Sequence, residues 1–144
     1  MVDTLINRVA KLAQNQPDQL AVAFKSEQLT YRQLLEKIKL VGNRLSDMGV
    51  GRGERVLFMA LSKPEMVAVY LGIQYCGAVA VFIDKNATVE NIEFVYQDTD
   101  AVLLLSDKPM KNISSYVRMS SLKKIYGAEV VENESNNKLQ YEIP

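Results

Sequence analysis

The sequence contains no histidine, no tryptophan and only one cysteine among its 144 residues. The absence of histidine excludes catalytic triads with an imidazole base, histidine metal ligands and histidine general bases. The single cysteine, Cys76, cannot form a disulfide within the chain. Because it lies on an apolar segment, it is interpreted as a small buried side chain rather than a reactive thiol.

The sequence also lacks an excess of charge of either sign, since 17 basic residues balance 17 acidic ones. No basic stripe interleaved with aromatic residues is present, so nucleic acid is not expected as a partner. The first residues, Met-Val-Asp-Thr, show neither the basic region nor the apolar run of a signal peptide, and the expected location is the cytoplasm. The hydrophobic content of 48% and the length of 144 residues are ordinary for a single globular domain.

Residues 66–83 form the one long stretch without a formal charge. A length of eighteen residues is at the threshold for a membrane-spanning helix. The stretch is interpreted instead as a buried helix and a buried strand that are separated by Gly77. The helical face is predicted to consist of Met66, Val69, Tyr70, Ile73 and Cys76, and residues 79–83 are predicted to form a central strand buried on both faces.

Helices and strands alternate along the rest of the sequence. Capping residues are predicted at Thr30 with Gln33, at Ser62 with Glu65, and at Thr88. The predicted helices cover residues 3–15, 30–48, 62–76 and 88–99. The predicted strands cover residues 20–25, 29–30, 55–61, 79–83, 101–105, 122–126 and 129–132. This order predicts an α/β fold with a mostly parallel sheet and helices on both faces. Residues 1–132 are expected to form one subdomain, and residues 133–144 a polar tail.

The second predicted helix has a charged outer face that is interpreted as solvated rather than functional. It carries Arg32, Glu36, Lys37, Lys39, Arg44 and Asp47.

Few residues suggest a catalytic or ligand-binding site. Three glycines at 49, 51 and 53 precede a strand, whereas a phosphate-binding loop needs them between a strand and a helix. Lys63 follows a strand and could meet an anion, although an exposed lysine beside a helix is the simpler interpretation. Asp98 and Asp100 lie at a helix-to-strand turn, where aspartate is common for reasons of turn geometry. The residues alone therefore predict an α/β domain without an assigned activity.

Four segments nevertheless occur in a familiar order. They read LTYRQL, LSDMGVGRGERV, SKPEMVAVYLGIQYCGAVAVFID and IEFVYQDTDAVLLLSD, and the lead-in QPDQLAV precedes them. Together they resemble the N-terminal region of the adenylate-forming, AMP-binding superfamily, which includes acyl-CoA synthetases, luciferases and peptide-synthetase adenylation domains. The resemblance covers most of residues 4–107. One departure is that Phe82 and Lys85 stand where the family often has prolines.

The resemblance implies a two-step reaction in a larger parent protein. A carboxylic acid attacks the α-phosphate of Mg-ATP to form an acyl-adenylate, and coenzyme A or a carrier pantetheine then accepts the acyl group. The phosphate loop, the nucleotide contacts and the C-terminal lysine of the family have no counterpart in this sequence. No catalytic, cofactor-binding or metal-binding residue is therefore assigned, and no ligand is expected on this chain alone.

The leading hypothesis is a non-catalytic N-terminal fragment of an acyl-CoA synthetase-like ligase, with fatty-acid metabolism as the expected context. One alternative is a fragment of an amino-acid-activating adenylation domain, and another is a stand-alone α/β interaction module. The partners expected are the rest of the parent chain and, through an exposed edge or apolar face, a further copy of the same chain.

Overall fold

The structure, a computed structural model, describes residues 4–59 and 63–126. The helices are α1 (Leu5–Asn15), α2 (Tyr31–Asp47), α3 (Glu65–Tyr75), α4 (Val89–Asp98) and α5 (Leu122–Tyr126). The strands are β1 (Leu20–Phe24), β2 (Glu27–Thr30), β3 (Arg55–Met59), β4 (Val79–Ile83), β5 (Leu103–Leu105) and β6 (Met119–Ser120).

The main sheet is parallel throughout, with the strand order β4-β3-β5-β6. Strands β1 and β2 form a separate antiparallel hairpin. The turn of the hairpin contains Lys25, whose backbone lies in the left-handed region at φ 55°. The parallel main sheet confirms the predicted α/β fold with a mostly parallel sheet.

Helices cover both faces of the main sheet, as predicted. On one face, residues of α2, α3 and α5 enclose the inward side chains of β3 and β5, such as Val56 and Leu103. On the other face, Ile92 and Tyr96 of α4 cover Leu57 and Leu104. Strands with alternate side chains buried in two helical layers are expected to be nearly continuously apolar.

Helices α2 and α3 approach each other most closely at two glycines. A Cβ atom built on Gly72 would lie 2.5 Å from Cβ of Val41 and 3.0 Å from the carbonyl oxygen of Ile38. A Cβ atom on Gly42 would lie 2.5 Å from Cδ2 of Tyr75. Both positions leave no room for a methyl group, so the small residues allow the two backbones to meet.

Threonine side chains cap the starts of α1, α2 and α4. Thr30 Oγ1 accepts from the amide of Gln33, whose Oε1 accepts from the amide of Thr30, which confirms the predicted capping box. Thr4 and Thr88 cap α1 and α4 in the same manner with one bond each.

The prediction for the start of α3 was wrong. The N-cap residue is Pro64, without a side-chain capping bond, and the helix begins at Glu65. Proline at this point is compatible with a helix start because its fixed φ suits the first turn and no amide is lost from the helix interior. Ser62, the expected cap, lies outside the described residues.

The uncharged stretch differs from its prediction in where its strand lies. Strand β4 is at the edge of the described sheet, and β3 takes the central place. Phe82 is 63% exposed and Val79 46% exposed, and Tyr70 on α3 is 42% exposed. The lack of charge therefore does not reflect burial on both faces, because the apolar sequence of an edge strand resembles that of a central one. No helix of the described residues is long and apolar enough to cross a membrane.

Two further predictions were wrong. Residues Leu122–Tyr126 form a helix rather than a strand, because Leu122, Ile125 and Tyr126 share the helical spacing that buries them on one side.

The charged face predicted for α2 is not solvated throughout. Arg44 of α2 is only 7% exposed, so it does not belong to a solvated face. Lys37 of the same face is hydrogen-bonded within the protein, since its Nζ donates to the carbonyl oxygen of Tyr126 at 3.3 Å. The predicted strand at 129–132 and the tail at 133–144 lie outside the described residues.

Replacing Gly72 by alanine is expected to destabilise the protein by about 1–3 kcal/mol, although alanine is the better helix former. The reason is that the new methyl group would overlap the Val41 side chain and press on the Ile38 carbonyl. Urea unfolding followed by circular dichroism measures the change. The matched control is Gln74→Ala, an exposed position of the same helix, where the stability should stay within about 0.5 kcal/mol. Equal effects of the two variants would contradict this account of the helix crossing.

Candidate functional site

The carboxyl ends of the parallel strands meet at one edge of the sheet, which is where open α/β sheets bind ligands. In this chain the edge carries Asp84 after β4, Ser106 and Asp107 after β5, and Ser121 after β6. An open depression of about 390 Å³ lies here. Its lining consists of Ser106, Asp107, Lys108, Pro109, Met119, Ser120, Ser121 and Lys123. This depression is the candidate site of the described residues.

Asp107 connects β5 to the segment that follows β6. Its Oδ1 accepts hydrogen bonds from Ser121 Oγ at 2.7 Å and from the amide of Lys123 at 3.2 Å. Its other oxygen, Oδ2, is buried and has no hydrogen-bond partner among the described residues. The carboxylate therefore fixes the start of α5, and half of its accepting capacity remains unused in the described part of the chain.

Ser106 and Lys108 tie the neighbouring loops together. Ser106 is buried, donates from Oγ to Met59 Sδ at 3.1 Å, and accepts from the amide of Lys108 at 3.0 Å. The Lys108 ammonium donates to the carbonyl oxygen of Ala87 in the β4–α4 loop at 3.2 Å. The side chains of Ser106 and Lys108, which follow β5, thus connect the carboxyl ends of β3, β4 and β5.

Apart from Asp107 Oδ2, the polar side chains described above are hydrogen-bonded within this edge rather than arranged for a reaction. The hydroxyls of Ser106 and Ser121 donate to a methionine sulfur and to a carboxylate, and no imidazole exists in the sequence to activate them. Asp84 Oδ1 accepts from the amide of Asn86 at 2.8 Å, which shapes the turn before α4. Among the described residues, no group of three or more His, Cys, Asp or Glu could hold a metal ion. The edge organises loops and supplies charge from Lys108 and Lys123.

The structure places most sequence candidates away from this edge. The glycines at 49, 51 and 53 precede β3 and lie at the amino ends of the strands, and the amide of Gly51 is bonded to Glu54 Oε1 at 2.7 Å. Asp98 and Asp100 precede β5 at the same end, and both are exposed. Asp100 has φ 53°, a conformation that aspartate tolerates, so it serves the turn. Lys63 is exposed beside the start of α3.

Cys76 ends α3 in a half-buried position. Its Sγ donates to the carbonyl oxygen of Ile73 at 3.2 Å. Burial raises the pKa of the Cys76 thiol, and the nearby Glu54 carboxylate acts in the same direction, while backbone hydrogen bonds oppose both effects. A raised pKa lowers the thiolate fraction, which agrees with the interpretation of Cys76 as a packing residue.

Sequence reasoning missed the connection between Asp107 and Ser121. The sequence predicts a strand that ends at Ser106 and Asp107 and a second strand at Leu122–Tyr126, and two strands of this kind give no reason for a bond between Asp107 and a helix start at Ser121. The available signal was a serine directly before apolar residues at helical spacing, which is typical of a helix start.

A model of the AMP-binding enzyme family matches residues 9–142. The chain belongs to this family. The match extends over nearly the whole sequence, and it includes each of the four segments on which the resemblance depended.

Curated relatives in the family are acid–CoA ligases. A 3-hydroxybenzoate–CoA ligase of Aromatoleum sp. (strain CIB) is 41% identical over 96 residues, which cover 67% of this chain and 18% of the relative. A 2-succinylbenzoate–CoA ligase of Bacillus anthracis (strain A0248) is 31% identical over 108 residues, 75% of this chain and 22% of the relative. The chain spans about a fifth of the length of these relatives. Both names contain an aromatic acid rather than a fatty acid.

A solved structure has the same fold. The N-terminal subdomain of Klebsiella oxytoca NpsA, in complex with 3-hydroxybenzoyl-AMSN, superimposes with a TM-score of 0.77 at 23% identity. The superposition covers 87% of this chain and 31% of that one. The predicted fold class, that of the N-terminal region of an adenylate-forming enzyme, is therefore confirmed.

Replacing Asp107 by alanine is expected to lower the free energy of unfolding by about 1–3 kcal/mol, because two hydrogen bonds to a carboxylate are lost. Thermal or urea unfolding measures the loss. The matched control, Asp98→Ala, removes an exposed carboxylate at the other end of the sheet and should change stability by less than about 0.5 kcal/mol. If Asp107→Ala were as stable as the control, Asp107 would not hold the β5 and β6 exits together.

Proposed function

We propose that this chain is the N-terminal, non-catalytic portion of an ATP-dependent acid–CoA ligase whose substrate is an aromatic carboxylic acid. The observation that carries the proposal is the 41% identity to a 3-hydroxybenzoate–CoA ligase within a family match that spans residues 9–142. The named 2-succinylbenzoate–CoA ligase supports the same substrate class. The parent would form an acyl-adenylate from the acid and ATP, and would then transfer the acyl group to a thiol.

The contribution of this chain to such a reaction would be structural. The family implies ATP, Mg²⁺ and coenzyme A in the parent, but the described residues do not fit a site for them. Asp107 Oδ1 is bonded to Ser121 and to a backbone amide, Asp84 is bonded within its own turn, and the described residues contain no group of three or more His, Cys, Asp or Glu that could hold a metal ion. The role that fits these residues is to hold together the segments that follow β5 and β6. Later parts of a parent protein could pack against this fixed arrangement.

Residues 1–132 would then form the N-terminal subdomain, and residues 133–144 a polar tail. A cytoplasmic location belongs to the same proposal, since ATP and coenzyme A are both available there. Two expectations from the sequence remain alternatives. A carrier pantetheine could replace coenzyme A as the thiol, and a fatty or amino acid could replace the aromatic acid.

Acid-dependent exchange of pyrophosphate into ATP tests the substrate class in a full-length protein that contains this segment. We expect 3-hydroxybenzoate or a related aromatic acid to stimulate exchange at least tenfold over the rate without acid. Octanoate and a mixture of L-amino acids serve as the comparison, and they should give rates near background. Exchange with octanoate alone would replace the aromatic substrate by a fatty acid, and no exchange with any acid would overturn the ligase proposal.

The 144-residue chain alone is expected to show no ATP turnover and no ATP binding tighter than about 1 mM, which corresponds to about 4 kcal/mol of binding free energy. The physical reason is that the described residues offer no free cluster of donors for three phosphates. Isothermal calorimetry with Mg-ATP measures the affinity, and the full-length protein is the positive control. Micromolar binding to the chain alone would contradict the assignment of a purely structural role.

A further inference from the structure

Strand β4 lies at an edge of the sheet and carries none of the features that normally protect an edge. Its sequence, VAVFI, contains no charge and no proline. Its pairing with β3 runs without a bulge from Val79 to Ile83. Edge strands usually carry lysine, proline or a bulge because unpaired backbone groups invite another strand. On its outer side β4 has no partner strand among the described residues.

The direction of the free backbone groups follows from one hydrogen bond. The amide of Val79 donates to the carbonyl oxygen of Glu54 at 2.7 Å, so Val79 directs its backbone groups towards β3. Backbone direction alternates along a strand. Ala80 and Phe82 therefore direct their N–H and C=O groups to the open side.

An apolar surface continues from this open side onto helix α3. The ring of Phe82 stands edge-on to the ring of Phe58 at 5.8 Å between centroids, and Phe58 contacts Tyr70 at 6.2 Å. Phe58 is buried, but Phe82 and Tyr70 are both exposed. Apart from Glu65 and Gln74, helix α3 carries apolar or aromatic residues around its whole circumference, a pattern that is typical of a helix with more than one covered face.

We propose that a second copy of this chain pairs antiparallel with β4, about a twofold axis at Val81. In this register Ala80 faces Phe82 of the second copy, and the two residues exchange both backbone hydrogen bonds, as their outward groups require. The same contact recurs on the other side of the axis, so the interface is self-complementary. The proposal does not depend on the enzymatic function of a parent protein.

Side-chain size favours this register over its neighbours. Each large Phe82 ring lies against the small Ala80 of the other copy, while Val79 meets Ile83 on the opposite face. A shift by two residues in one direction would place Ala80 against Ala80 and leave a gap. A shift in the other direction would place the charge of Asp84 against Ala80, inside the apolar contact.

Charge complementarity at the strand ends supports the same register. Asp84 of the second copy would lie opposite Ala78, next to Gly77. Arg52 packs on that glycine, with its Cα 3.3 Å from where a Cβ atom of Gly77 would be. Arg52 is exposed, so its guanidinium can meet the arriving carboxylate. The uncharged strand would thus be bounded at both ends by an opposite-charge pair.

Sedimentation velocity on the 144-residue chain at about 1–200 µM tests the dimer. The wild-type chain of 16.2 kDa should reach twice this mass within that range. Phe82→Lys should remain monomeric at all concentrations, because an edge lysine opposes pairing. The matched control is Phe94→Lys, which removes a phenylalanine of similar exposure (67%) on α4, away from the edge, and should leave the dimer unchanged. Both side chains are exposed, and circular dichroism confirms that both variants fold.

Disulfide trapping tests the register. In a Cys76→Ser background, Val81→Cys should form an intermolecular disulfide on mild oxidation, since directly opposed residues of a non-hydrogen-bonded pair have Cα atoms about 4.5 Å apart, within the range that a disulfide needs. Ala80→Cys and Phe82→Cys should each cross-link poorly alone but should cross-link when mixed. Efficient cross-linking of Ala80→Cys to itself would overturn the register.

A wild-type chain that stays monomeric to 200 µM would overturn the proposal. So would equal dimerisation of the Phe82→Lys and Phe94→Lys variants, since the contact would then lie elsewhere. Slow hydrogen exchange at the Ala80 and Phe82 amides in a proven monomer would show that another segment of the same chain covers β4, and would also contradict pairing between copies.

Discussion

The close contact between helices α2 and α3 at Gly42 and Gly72 is the constraint on which the rest of the structure depends. Without side chains at these two points, the backbone of one helix touches the side chains of the other, and the pair packs as one layer over β3 and β5. A glycine in a helix interior costs about 0.5–1 kcal/mol relative to alanine, so its presence in both helices calls for a packing reason. The distances to Val41 and Tyr75 supply that reason.

The fixed helix layer also explains the character of the sheet edge. Helices α2 and α3 cover one face of β3, β4 and β5, and α4 covers the other. The carboxyl ends of these strands therefore lie side by side at one edge of the sheet. The polar side chains in that row are used to join the loops to one another, with Ser106 bonded to Met59 and Asp107 to Ser121.

Much of this arrangement could be predicted from the sequence where the decisive interactions are local. The capping box of Thr30 with Gln33 and the cap at Thr88 depend on residues three positions apart, and both were predicted correctly. The edge position of β4 could not be predicted, since an apolar run reads the same in the centre of a sheet and at an unprotected edge. The link from Asp107 to Ser121 was missed because it depends on where α5 begins and packs, which local periodicity over five residues does not decide. The burial of Arg44 was missed because it depends on tertiary packing, which the charge pattern of α2 does not show.

Helices α2 and α3 also separate two apolar clusters that share no buried side chain. Val41, Leu45, Val69 and Ile73 face the parallel sheet, whereas Leu34, Ile38, Ala68 and Leu71 face α1 and the β1–β2 hairpin. The hairpin layer is thus attached through one side of the helix pair and, within residues 4–59 and 63–126, makes no strand pairing with the main sheet. The packing of α1 and the hairpin therefore does not involve the parallel sheet, and the pair of helices α2 and α3 is the part of the structure that both layers share.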